Sequence, residues 1–435
     1  MSKSRALLLA ALVSLPVAAP LATAHAQETR LSALEAEAKA KPKDAGAAFA
    51  LGRAYRRAGK WAAAKTELAR GAALATGEEQ VKLRYELALS EIDQGIVNTS
   101  LPKPPSLAAC ANVKIGKLGE ALSRVCAAKA WLGMERISIA EDELTAAEKA
   151  EPGLYEVKLG RLEVTVAKQT HDAAIVEAKA LTSATPGRAE AWLYLGTELL
   201  AAGKRADAVA PLKKARELDA DWPEAAHHLC RALPDGVEAR DLARTAVAMR
   251  GAWPAAQVRL GELELGFGTP EAGQKAFEAA LKGAPKLVAA QVGLAWSLVK
   301  QKKWDDAKKA SSKAIELAAN NASARLAHAE ALAGGGDVEN AVEEFKFAAG
   351  LDSKDPTGLL RASQVLLGAK EPMKALGHAE AAVKAFPEDG RTYEVRADAE
   401  LATGDKKAAK DDYKKALTKP NVDKVAVQKK LDAIK

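Results

Sequence analysis

The sequence predicts an all-α chain: a right-handed superhelical solenoid of stacked helix-turn-helix units, finished by a C-terminal capping helix. Three observations carry this. Roughly 100 of the 435 residues are Ala, while aromatics make up only 4% and charged residues 28%, a mixture that favours helices over sheets. Prolines keep a fixed period, since Pro152 and Pro186 stand 34 residues apart and Pro285 and Pro387 stand three such periods apart. The dipeptide Leu-Gly recurs at Leu51-Gly52, Leu195-Gly196 and Leu260-Gly261, each followed by helical pattern and then a turn glycine, Gly59, Gly203 or Gly268. The length fits several domains or one extended array better than one compact core. A hydrophobic content of 48% argues against disorder. The net charge of +7 comes from 64 basic and 57 acidic residues that are thoroughly interspersed, so nucleic acid is not an expected partner.

Read in order, residues 1–26 form a secretory signal peptide. Lys3 and Arg5 precede an apolar stretch from Ala6 to Ala22, and Ala24-His25-Ala26 supplies an A-x-A cleavage site. Pro16 and Pro20 interrupt that stretch, and no later segment reaches the roughly 18 apolar residues of a membrane span. The mature chain is expected to carry no span and to be exported, periplasmic or secreted if the source is bacterial. Residues 27–94 hold N-terminal helices and the first repeat units. Residues 95–119, with Pro102, Pro104, Pro105, Gly116 and Gly119, fit no unit and read as an irregular insertion with one short helix near Ser106 to Ala111. Residues 120–422 form a tandem array. Residues 423–435, with Val425, Val427, Leu431 and Ile434 at helical spacing among lysines, fit an amphipathic capping helix.

The segment from Ala189 shows one unit clearly. Trp192, Leu195, Gly196 and Leu199 mark one face of a first helix, Gly203-Lys204 turns, and Ala208, Leu212 and Ala215 mark a second. Gly196 and Ala208 leave room for close approach of the two helices. Trp-x2-Leu-Gly followed by Ala-x3-large and a later Pro resembles the tetratricopeptide repeat (TPR). The same phase runs through Trp131, Ala140, Leu144, Ala147 and Pro152, through Gly261, Phe277, Ala280 and Pro285, and on through Phe345 to Tyr413. Units fall near 45–78, 121–154, 155–188, 189–222, 223–253, 254–287, 288–321, 322–355, 356–389 and 390–422. Two depart from the pattern: 223–253 is three residues short and carries Pro234 inside its first helix, and the unit after Pro152 lacks a turn glycine.

No catalytic signature is present: there is no nucleophile elbow, phosphate-binding loop, H-E-x-x-H or C-x-x-C. The chain is therefore read as a non-enzyme without a cofactor. The one histidine cluster, Glu224, His227, His228 and Cys230 on one helix, contains competent zinc or copper ligands, but Cys230 sits where the repeat needs a small buried residue, so no metal site is assigned. Export places Cys110 and Cys126, sixteen residues apart, where a disulfide can persist, and such a bridge would contribute about 3 kcal/mol. Cys230 stays reduced in that reading. Asn98-Thr99-Ser100 and Asn321-Ala322-Ser323 match the glycosylation sequon.

The TPR resemblance implies a concave groove lined by the first helix of each unit, at its second, fifth, ninth and twelfth positions. Carried onto this chain, the partner-binding candidates are Phe49, Arg53, Arg56, Lys129, His227, Arg231 and Trp296, with acidic Glu394, Asp398 and Glu400 toward the far end. The Lys and Asn pairs by which some co-chaperones clamp a terminal carboxylate are absent at these positions. The function expected is that of an exported, non-catalytic scaffold that binds a protein or peptide in its groove during assembly of an envelope or secreted complex. The alternative is a metal-dependent factor or enzyme whose site is grafted on the array, at the Glu224 to Cys230 cluster or the 95–119 insertion.

Overall fold

The computed structural model describes residues 31–95 and 103–434. The signal-peptide segment 1–26 and the sequon at Asn98 lie outside the described residues. Every regular element among the described residues is a helix, and the chain falls into two units, one ending at Ala252 and the other starting at Trp253.

In the first unit, α1 (31–40) precedes the pair α2 (Ala45–Arg57) and α3 (Trp61–Leu74), then α4 (Gly77–Gln94) and the five-residue α5 (Leu107–Ala111). Four further pairs follow: α6 (Gly116–Leu132) with α7 (Ile137–Ala150), α8 (Tyr155–Ala167) with α9 (His171–Ala184), α10 (Ala189–Ala201) with α11 (Arg205–Leu218), and α12 (Pro223–Ala232) with α13 (Val237–Met249). The second unit holds α14 (Pro254–Phe267) and α15 (Pro270–Gly283), α16 (Val288–Lys300) and α17 (Trp304–Leu317), α18 (Ala322–Gly334) and α19 (Val338–Leu351), α20 (Thr357–Gly368) and α21 (Pro372–Ala385), α22 (Gly390–Thr403) and α23 (Lys406–Thr418), and the cap α24 (Lys424–Asp432). Within each unit, every helix packs chiefly against its neighbours in sequence. Pro234 ends α12 after ten residues, which is how the short unit loses its three residues.

The core repeats one contact. The eighth residue of the second helix is large and buried in most pairs: Leu68, Leu144, Leu212, Phe277, Phe345 and Tyr413. Facing it, the eighth residue of the first helix is often glycine, and a Cβ added at Gly52, Gly196 or Gly261 would lie 2.4–2.6 Å from atoms of Leu68, Leu212 or Phe277. The glycine is there because backbone must meet side chain at that point.

The turns repeat too. Glu135, Gln169 and Gly203 have positive φ at intervals of 34, and so do Lys302, Gly336, Lys370 and Gly404. The left-handed turn is thus imposed by the packing of the pair, and glycine only makes it cheaper. Lys370→Gly is expected to raise stability by up to about 1 kcal/mol, offset in part by unfolded-chain entropy, whereas Gly336→Ala lowers it by a similar amount. Opposite shifts in the thermal midpoint check this, and equal midpoints would contradict it.

At the C-terminal end, Asp423 caps α24 by accepting from the amides of Val425 and Ala426. Val427 and Ile434 are buried against Tyr413 and Ala416, with Leu431 partly covered. Val425, which the sequence groups with the apolar stripe, is 81% exposed, because the cap begins only at Lys424 and its first turn overhangs the last pair.

Candidate functional site

Side chains that bridge successive first helices mark the face expected to bind a partner. In the first unit these bridges are charged. Arg56 of α2 pairs with Glu86 of α4 and, at 2.7 Å, with Asp93, while Arg53 lies 3.6 Å from Glu86 and 5.6 Å from the Phe49 ring centroid. Phe49 itself is partly buried against Leu68 and Leu83. Burial by itself would lift the Glu86 carboxyl, but the Arg56, Arg53 and Arg57 guanidiniums outweigh it and hold Glu86 below the ordinary range. Lys129 of α6 pairs with Glu163 of α8, and Glu163 also accepts from the Tyr194 hydroxyl of α10 at 2.9 Å. Burial, then the charge of Glu163, pushes the Tyr194 phenol up. Of the candidates read from sequence, Arg53, Arg56 and Lys129 therefore face the expected surface but are each held by a carboxylate of this chain.

Arg57 reaches further. It pairs with Asp219 and stacks over the Trp222 ring, 4.7 Å from its centroid, so the first helical pair touches the stretch between α11 and α12. Burial, followed by repulsion from Arg53, lowers the Arg57 guanidinium to about 10. Arg250 lies over the Trp61 ring at 5.4 Å and pairs with Glu224 at 2.7 Å, a second link between the same two regions.

The histidine cluster is packed rather than convergent. His227 is 5% exposed, its ring meets that of His228 edge-on at 5.3 Å, and Cys230 is fully buried. Burial, then the Arg231 charge, pushes His228 down to about 4, so the ring is neutral at physiological pH. Arg231 lies 3.5 Å from His228 Nδ1. Among the described residues no three His, Cys, Asp or Glu side chains come together as a metal set. Cys110 and Cys126 are joined as a disulfide with Cα atoms 5.4 Å apart, tying α5 to α6 in a cluster with Tyr85, Val113 and Trp131.

The second unit differs. Trp296 of α16 donates its Nε1–H to Ser323 Oγ of α18 at 3.0 Å, which places the indole on the face where the first helices meet. One turn to either side, Val292 and Val299 are half-buried, and so is Leu326 on α18. Among the described residues these four side chains carry no charge, but acidic ones border them: Glu330 of α18, one turn from Leu326, is held by Arg361 of α20 at 2.7 Å, and Glu262 stands at the position of α14 equivalent to Trp296. Asn321 of the second sequon caps α18 by accepting from the Ala324 amide, so both ends of that sequon make local structural bonds.

The acidic end is already neutralised. Lys430 of the cap reaches Glu394 at 2.9 Å and Asp398 at 2.8 Å, Tyr413 donates to Asp398, and Arg396 binds Asp412 at 2.9 Å and lies 3.7 Å from Glu400. Among the described residues Glu400 Oε2 has no hydrogen-bond partner, and burial, then the charge of Asp412, lifts this carboxyl to about 7. Its folded-state value lies above the unfolded one, so its contribution is favourable at low pH and is lost as pH rises from about 4.5 to 7. Glu400→Gln is accordingly expected to raise the thermal midpoint at pH 8 and to leave it nearly unchanged at pH 4.5. An equal effect at both pH values would contradict the assignment.

Glu86, Asp93, Glu163 and Tyr194 are absent from the sequence-derived set. Lys129 and Glu163 stand one repeat apart, 34 residues, so opposite charges at equivalent positions are a signal that finds this pair. No such signal exists for Arg56, whose partners lie 30 and 37 residues on, across the irregular second pair.

Among solved structures the chain resembles the Cut9–Hcn1 hetero-tetramer of the APC/C, at 13% identity over 88% of this chain and 83% of that one with a TM-score of 0.49. It also resembles yeast Tom70, at 14% identity over 91% and 96% with a TM-score of 0.42, and Pseudomonas aeruginosa pilF, at 20% identity over 48% and 97% with a TM-score of 0.40. No curated protein matches the sequence significantly. Residues 258–307, 292–356 and 360–423 match the tetratricopeptide repeat, in step with the helical pairs from α14 to α23. Residues 258–423, in the second unit, therefore carry tetratricopeptide repeats.

Proposed function

We propose that this chain is an exported, non-catalytic scaffold that binds a protein or peptide segment, and that in the second unit the partner lies along the first-helix face with Trp296 as its anchor. The carrying observation is the contrast between the two units. The face in the first unit is closed by ion pairs within the chain, whereas Trp296 with Val292, Val299 and Leu326 offers an apolar strip bordered by Glu262 and Glu330. A half-buried indole with its N–H already satisfied gains by losing water from its open side, and Trp is among the side chains that most often dominate interface energies. An envelope or secreted assembly is the setting in this reading, supported by the leader-like sequence of residues 1–26.

The test is Trp296→Ala in protein recovered with its partner from the native cell. Partner retention is expected to fall at least about tenfold while the thermal midpoint drops only slightly. Full retention would remove the proposal. The mass of the mature N-terminus from the same preparation checks export, with Gln27 expected as the first residue.

A further inference from the structure

The positive charge of the chain is gathered at one end. Lys3 and Arg5 account for two of the seven net charges, and residues 405–435, with ten lysines against five aspartates, account for the other five, so residues 27–404 sum to zero. The surplus falls on α23 and the cap α24. The aspartates there answer little of it. Asp405 and Asp423 accept from first-turn amides of the two helices, and Asp412 is buried against Arg396. Among the described residues Lys406, Lys407, Lys410, Lys424 and Lys429 pair with no carboxylate. On α23 the buried stripe is Ala409, Tyr413 and Ala416, and Lys407, Lys410 and Lys414, at spacings of three and four, line the outward side. On α24 Val427 points inward, so Val425 and Lys429, two residues to either side of it, point outward. Val425 is more exposed than any other large apolar side chain among the described residues.

We propose that α23 and α24 are a membrane-facing end of the array, separate from the Trp296 strip: their lysines rest on a bilayer that contains anionic phospholipid, and Val425 enters its headgroup layer. With residues 27–404 at zero net charge, the force on the chain near an anionic plane acts on this end and turns it toward the plane. Clusters of about four to eight basic side chains on a helix are enough for such attraction. The kind of cation favours a sheet of charge over one acidic side chain as the occupant. Residues 405–435 hold no arginine. Lysine is a hydrated point charge on a flexible stem that meets headgroups at any angle, whereas recognition of a single carboxylate favours the planar fork of arginine. Val425 points the same way. An apolar side chain between Lys424 and Lys429 gains from the acyl boundary, while the lysine stems lie along the interface with their ammonium groups in the headgroup layer.

The test is co-sedimentation of the protein, purified from its native cell, with vesicles of phosphatidylglycerol mixed with phosphatidylcholine and with vesicles of phosphatidylcholine alone. The readout is the ratio of the two partition coefficients, in which any contribution from residues 1–26 to general bilayer affinity cancels. The unaltered chain is expected to favour the anionic vesicles strongly, and the preference should shrink as added salt screens the headgroups. Replacing Lys407, Lys410 and Lys414 together by Gln should lower the ratio about a hundredfold with the thermal midpoint unchanged. Val425→Ser should weaken binding to the anionic vesicles about tenfold. Trp296→Ala should bind them as the unaltered chain does, which separates this surface from the one proposed above. A ratio near one, or a ratio that the three Gln substitutions leave unchanged, would overturn the proposal. Full binding by Val425→Ser would overturn it too, in favour of an acidic protein as the occupant.

Discussion

Glu86→Leu is expected to cost about 3 kcal/mol of stability in the first unit, enough to open α2–α4 locally. Three guanidiniums, from Arg53, Arg56 and Arg57, depend on this one carboxylate, whose side chain is only 16% exposed. Losing it leaves like charges facing one another with little water to screen them. The cost falls at the low end of what breaking a buried pair entails, because Arg56 keeps Asp93 at 2.7 Å and Arg57 keeps Asp219. A pH signature accompanies it. Glu86 has a depressed folded-state value, so its contribution is fully present above the unfolded carboxylate range and disappears as pH falls below about 4. Hydrogen exchange of residues 45–94 in the full chain should show acid-induced loss of protection in the unaltered protein, and lower protection without that added pH slope in Glu86→Leu. Equal protection at pH 7 would refute the network's role. Arg56→Glu is no clean probe of partner binding for the same reason, since it would disturb the fold before any groove contact is tested.

Much of this arrangement was legible because it repeats. The 34-residue period located the pairs, the eighth-position glycines and the large residues opposite them, since each contact involves nearest neighbours at fixed offsets. Gly196 against Leu212 and Gly261 against Phe277 follow from that pattern. What resisted reading breaks the period. Glu135, Gln169, Lys302 and Lys370 take left-handed turns without the glycine that would announce them. Arg57 meets Asp219 and Trp222 only because stacked pairs curve, and curvature sums small rotations that no local spacing encodes. The candidate site was half legible. The repeat register that puts Arg53, Arg56, Lys129 and Trp296 on first helices was visible, but the carboxylates that occupy Arg53, Arg56 and Lys129 required the packed chain.

Gly293→Ala is expected to destabilise the second unit by about 2–3 kcal/mol although it adds a single methyl group. Gly293 lies on α16 three residues before Trp296, and a Cβ there would come within 2.2 Å of Phe277 Cε1. The ring has no room to withdraw: Phe277 is fully buried, and the Cβ position of Gly261 is 2.6 Å from its Cζ on the side of α14. Backbone must therefore yield on one side, and α16 is the helix that moves. Phe277→Ala removes the clash but leaves a cavity costing about 3–5 kcal/mol, so the informative partner is Phe277→Leu. In a double-mutant cycle Gly293→Ala should be far less harmful in the Phe277→Leu background, with a coupling of about 1 kcal/mol or more. Additive effects would mean the ring is not the obstacle. The consequence for function is direct, because a displaced α16 carries Trp296 with it. Gly293→Ala should lose partner binding together with stability, whereas Trp296→Ala should lose binding alone, and only that difference distinguishes an anchor residue from the helix that positions it.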